Sequence, residues 1–166
     1  MAEDVLTKLI IINGAPGVGK STVGSLLFSK LGNSAFLDGD DVWRINPFEV
    51  TDVTRNIVER NIVFVLRNYI TAGYKYVILA WVLHQQSIID HLLHNLDDLK
   101  FKVTIFTLIC DEVTLLERRR QQGKEGSDLD ISIDRLRETL ALETEKLDAS
   151  PLPDEIVNTI LAAVTD

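Results

Sequence analysis

Residues 14–22 read GAPGVGKST, and no other stretch constrains the chain's fold as strongly. A glycine, four residues, then Gly19, Lys20 and Ser21 is the spacing of a phosphate-binding P-loop. By chance it turns up in a chain of this length on the order of one time in a hundred. Its flanks agree with it. LTKLIIIN before the loop is short, rich in β-branched residues and continuously apolar over LIII, the pattern of a buried strand. STVGSLLFSKLG after it puts Val23, Leu26, Leu27 and Leu31 on one helical face, with Gly32 as a stop signal. Strand, glycine-rich loop and helix together make a concave nest of inward-facing N–H groups at a helix start. Such a nest holds phosphates, so Gly14, Ala15, Pro16, Gly17, Val18, Gly19, Lys20, Ser21 and Thr22 are the expected nucleotide-binding residues. Lys20 would reach the β- and γ-phosphates, and the Ser21 hydroxyl would hold Mg²⁺.

The rest of the chain alternates strand and helix. SAFLD is a second strand, and Thr51 to Ala72 a long helix with Val58, Ile62, Val65 and Tyr69 on one face and Gly73 as terminator. YKYVILAWVL is a third strand, SIIDHLLHNL a helix and KVTIFTLIC a fourth strand. DEVTLLERRRQQ is helical, GKEGSDLD a loop, and SIDRLRETLALETEKL helical up to Pro151 and Pro153. The tail DEIVNTILAAVTD is read as a last strand over EIVNT. The alternative is one helix with Ile156, Ile160 and Val164 on a face. Repeated βα units predict an α/β fold with a parallel sheet and helices on both faces.

At 166 residues the expectation is a single domain over 1–166. The net charge of −8 argues against general binding to nucleic acid or to an anionic membrane. No apolar run approaches membrane-spanning length, and the N-terminus lacks the basic region of a signal peptide. The single cysteine, Cys110, leaves no internal disulfide and suits a reducing, cytoplasmic setting, where it would pack as a small hydrophobe. His91 and His94 lie one turn apart, with no convincing third metal ligand, and are read as a solvated helix face.

FLDGDD, residues 36–41, is the second informative stretch. It stands at the carboxyl end of the second strand, where ligands bind in open α/β sheets. Asp38 and Asp40 would therefore face the P-loop. One would orient Mg²⁺ through its waters, and the other would accept the proton of a hydroxyl being phosphorylated.

A P-loop followed by Phe36-Leu37-Asp38-Gly39-Asp40 resembles the small P-loop kinases: shikimate, gluconate and adenylylsulfate kinases and the chloramphenicol phosphotransferases. LLERRRQQG, residues 115–123, resembles the segment leading into their lid. The resemblance implies a five-stranded sheet of order 2-3-1-4-5, Mg·ATP as donor and a small-molecule acceptor. It implies acceptor-binding helices over 42–73 and a lid over about 119–131. Carried over by position, Asp38 assists the metal, Asp40 is the base, Arg118 lies against the adenine, and Arg119 or Arg120 meets the transferring phosphoryl. Trp43, Arg44, Arg55, Arg60, Trp81 and His84 are candidates for the acceptor pocket. AWVLHQQ replaces the glycine run of shikimate kinase, so shikimate is not the expected acceptor, and no second arginine is evident after the lid.

The implied activity is ATP-dependent phosphorylation of a hydroxyl on a metabolite, sugar acid or antibiotic, by a monomer or homodimer. The alternatives are a nucleoside or nucleotide kinase, an ATPase switch in which Asp111 and Glu112 end a Walker B strand and Glu112 activates water, and a non-catalytic nucleotide-binding regulator.

Overall fold

Strand β1 (Thr7–Gly14) is central, and four of its residues, Leu9 to Ile12, are wholly buried. Alternate side chains serve opposite layers. Ile10 and Ile12 enter one core, and Leu9 and Ile11 the other. A strand covered on both faces has no polar side, which is why the sequence shows a continuous apolar run. The computed structural model describes residues 6–165.

The elements run β1, α1 (Lys20–Lys30), β2 (Ser34–Asp38), a 3₁₀ turn (Gly39–Val42), α2 (Asp52–Thr71), β3 (Tyr76–Ala80), α3 (Gln86–His94), β4 (Phe101–Ile109), α4 (Glu112–Gln121), α5 (Ser127–Leu140), β5 (Glu145–Asp148) and α6 (Pro153–Val164). The five strands are parallel in the order β2-β3-β1-β4-β5, as the family resemblance implies. Helices α1 and α6 cover one face through Val23, Leu27, Val157 and Ile160. On the other face α2 and α3 bring Val58, Ile62, Leu66, Ile70 and Ile89. The buried stripe of α2 thus drifts by one position from the expected Val65 and Tyr69, which flank it half-buried.

The last strand is not where the sequence reading puts it. Residues 154–159 lie in α6, and Pro153 occupies its first turn, a position that needs no N–H donor. Ile156, Val157, Ile160 and Val164 form its buried stripe. The edge strand is instead β5, EKLD, four residues that the sequence reading places at the end of a helix. Its charged, half-exposed pattern hides it, because charge is how an edge strand avoids further pairing.

Candidate functional site

The loop between β1 and α1 is built for an anion. Gly17 and Gly19 hold φ of 86° and 114°, a region costly for any residue with a Cβ. A Cβ at Gly17 would also run into the stem of Arg119. Helix α1 starts without a side-chain cap and without an acidic residue in its first turn. Its leading N–H groups are therefore left for an external acceptor. Lys20 Nζ donates to the Ala15 carbonyl at 2.9 Å. Burial pulls its pKa down from 10.5 to about 8, against the opposing charges of Asp40 and Asp38 and with a further push from Arg119. Asp38, Asp40 and Arg119 are thus within electrostatic reach of Lys20.

FLDGDD owes its shape to close packing. The Asp38 carboxylate accepts the Asp40 N–H at 3.1 Å and caps the 3₁₀ turn. A Cβ on Gly39 would come within 2.5 Å of the Trp81 ring, so glycine here makes room for the indole. Trp81 in turn hydrogen-bonds the Asp40 carboxylate. Partial burial and the neighbouring Asp38 raise the Asp40 pKa, while Lys20 and the Trp81 bond oppose them.

Beyond Asp40 the wall is aromatic. The Trp43 ring meets Trp81 edge-on at 6.4 Å and Phe48 at 5.3 Å. Two buried polar atoms there, Trp43 Nε1 and His84 Nδ1, have no hydrogen-bond partner. Burial lowers the His84 pKa, followed by the charges of Arg135 and Arg55, while Glu138 opposes them. Arg135 escapes the sequence reading because it sits inside a charged helical run on α5, where it pairs with Glu138 at 2.6 Å. Arg55 pairs with Asp52. Arg44 does not join this group: it reaches back to Asp41, with its side chain 80% exposed. Arg60 is also exposed.

On the other side of the loop lies a cleft of about 330 Å³, walled by Val18, Thr22, Arg118, Ala149, Pro151 and Ile156. The Arg118 guanidinium ties its two walls together, donating to the Val18 carbonyl at 3.0 Å and the Ala149 carbonyl at 2.7 Å. Arg119 lies on the P-loop at Gly17, bonded through Nη1 to Gln122, with its buried Nε unpartnered. Arg120 is exposed. The expected lid range takes in the end of α4, the connection through Gly126 and the start of α5.

The residues of the ATPase alternative are engaged elsewhere. Asp111 caps α4 through Thr114, and Glu112 forms a two-pronged pair with Arg137. Cys110 is half-buried. His91 stands 3.9 Å from Glu59 and His94 3.1 Å from Asp97. Among the described residues no group of three or more possible ligands is placed to hold a metal by itself, and no helix is long and apolar enough to cross a membrane.

The fold recurs in solved structures. The Deinococcus radiodurans tunicamycin resistance protein is 22% identical, with a TM-score of 0.77 over 96% of each chain. A gluconokinase from Sinorhizobium meliloti 1021 is 22% identical, with a TM-score of 0.73 over 96% of this chain and 92% of its own. Shikimate kinase from Aquifex aeolicus is 20% identical, with a TM-score of 0.65 over 94% of this chain and 95% of its own. At such identities the likeness concerns the fold. No curated protein matches the chain by sequence. The model of an AAA-domain family matches residues 10–141, which include the P-loop, Asp38, Asp40 and the arginine-rich end of α4. The chain therefore belongs to this AAA-domain family of P-loop proteins.

Proposed function

We propose that the protein is a kinase that transfers the γ-phosphoryl of ATP to a hydroxyl of a small molecule. The observation that carries this reading is the convergence of Lys20, Asp38 and Asp40 at the mouth of the P-loop, with Asp40 held between the lysine and an aromatic wall. The phosphates of ATP would lie on the amides before α1 and on Lys20, and the base in the cleft beside Arg118. The oxygen donors at this spot, the exposed Ser21 hydroxyl and the Asp38 carboxylate, suit a hard cation. Bound Mg²⁺ would draw charge from the phosphate oxygens.

Asp40 supplies the chemistry on the acceptor side. A carboxylate with a raised pKa is a better base than a free one, and the charge of Lys20 favours its ionised form. As the acceptor oxygen bonds to the γ-phosphorus, its proton passes to Asp40 and the bridging oxygen leaves with ADP. Arg119 would meet charge on the transferring phosphoryl, a role that its position on the loop at Gly17 supports. Otherwise the protein's part is positioning and electrostatics.

The test is Asp40→Asn, with ATP consumption followed over a panel of sugar acids, nucleosides and hydroxylated antibiotics. Turnover on the accepted substrate is expected to fall by about 10²–10⁴-fold. ATP affinity should stay within about threefold. Wild-type turnover in the variant would remove Asp40 from the reaction.

A further inference from the structure

Asn13 is wholly buried in the central strand, one residue before the P-loop and next to four wholly buried apolar residues. A polar side chain there is costly unless every donor and acceptor is used. Both N–H donors and the oxygen are used, and two of the three bonds go to one residue. The Asn13 amide oxygen accepts the Leu83 N–H at 2.7 Å, and its nitrogen donates to the Leu83 carbonyl at 2.9 Å. Regular pairing of β1 with β3 stops at Ile12 opposite Ala80, followed by one more bond from the Trp81 N–H to the Ile12 carbonyl. Past that point the two chains part, and the Asn13 amide takes the place of a strand neighbour.

Polar groups behind the amide fix its orientation. The Asn13 nitrogen also donates to Thr107 Oγ1 at 3.2 Å, and Thr107 Oγ1 lies 2.6 Å from Thr144 Oγ1. Lys146 Nζ donates to Thr144 Oγ1 at 3.0 Å. Thr107 Oγ1 accepts from Asn13 and Thr144 Oγ1 from Lys146, and either hydroxyl can donate in the bond between the two. The chain of bonds links β5, β4 and β1 to the turn after β3.

We infer that Asn13 is a positioning residue for acceptor binding: its amide holds the turn after β3 so that Trp81 stays on Asp40 and His84 stays between α2 and α5. The inference rests on the kinase reading given above. It assigns the residue before the P-loop to the acceptor side rather than to ATP.

Asn13→Asp is the test, in the full chain. The ionised carboxylate can accept from the Leu83 N–H but cannot donate to the Leu83 carbonyl; the protonated acid can do both. At about pH 8, amide exchange over residues 82–86, corrected for intrinsic rates, should be at least about tenfold faster than in wild type. Acrylamide should quench the two tryptophans, Trp43 and Trp81, more readily. Affinity for a fluorescent ATP analogue should stay within about twofold, while KM for the acceptor found by the panel rises about tenfold and kcat moves by less than about threefold. As pH falls and the buried carboxyl regains its proton, the exchange difference should shrink.

Wild-type exchange and quenching, or an equal loss of ATP-analogue affinity, would overturn the assignment. Should Asn13→Asp fail to fold, Thr107→Val decides. It spares both Leu83 bonds and should show the same changes in smaller degree, and a wild-type result there overturns the proposal. A wild-type protein that binds the ATP analogue but phosphorylates nothing in the panel fails the kinase reading instead. The exchange and quenching results then decide whether Asn13 holds the turn.

Discussion

On the kinase reading, Lys20 should make ATP binding depend on pH above about 8. Its ammonium titrates at about 8 in the free protein because burial outweighs the attraction of Asp40 and Asp38. Phosphates favour the charged form, so the pKa in the ATP complex lies above that of the free protein. Affinity is then level below about pH 8 and falls as pH rises through the free-protein value, with one proton taken up on binding. At about pH 9 roughly a tenth of the lysine remains charged, so Kd for ATP should rise about tenfold, or about 1.4 kcal/mol. The phosphates do not confuse the result, since their last ionisation lies near pH 6, about two units lower. Calorimetry at about pH 8.5 in two buffers of different ionisation enthalpy should find about three quarters of a proton taken up per ATP. Asp40→Asn removes the largest raising influence on Lys20, so it should move the midpoint below that of wild type. A Kd that stays flat from about pH 7 to 9.5 with no proton uptake would refute the reasoning, because the ammonium would then be solvated in the free protein.

Three further outcomes are expected. Lys20→Met should abolish transfer yet stabilise the ligand-free protein near neutral pH by up to about 3 kcal/mol, since lowering the pKa from 10.5 to about 8 is a cost paid in folding; thermal melts without nucleotide check this. Arg118→Lys cannot span both the Val18 and Ala149 carbonyls, so Kd for ATP should rise roughly three- to tenfold by fluorescence titration. Glu112→Gln, which touches only the surface pair with Arg137, should leave turnover within about twofold; complete loss would revive the ATPase reading.

The donor side was legible because it is made of backbone. Amides can cradle phosphate only with a strand, glycines and a helix start in fixed succession, and that succession is contiguous from Leu9 to Leu31. Asp38 and Asp40 were legible for a related reason: the end of a parallel strand is also the rim of the cleft. Strand β5 was not legible, because four residues with alternating charge carry no period that separates them from a helix end. The acceptor wall was only half legible, for a physical reason. Trp43 comes from just after the 3₁₀ turn, Arg55 from α2, Trp81 and His84 from beyond β3, and Arg135 from α5. Arg44 was a candidate in the sequence and Arg135 was not, but a carboxylate three residues away draws Arg44 outward, while Arg135 on α5 lies near enough for its charge to lower the His84 pKa. A site assembled from four elements leaves no spacing to read. Its residues can also change singly without disturbing the loop that holds the nucleotide. Asn13 is the exception, one side chain that bonds the strand entering the P-loop to the turn that carries His84. On the kinase reading, acceptor preference would therefore be free to drift at Trp43, Arg55 or Arg135, whereas a change at Asn13 would alter the frame on which any acceptor sits.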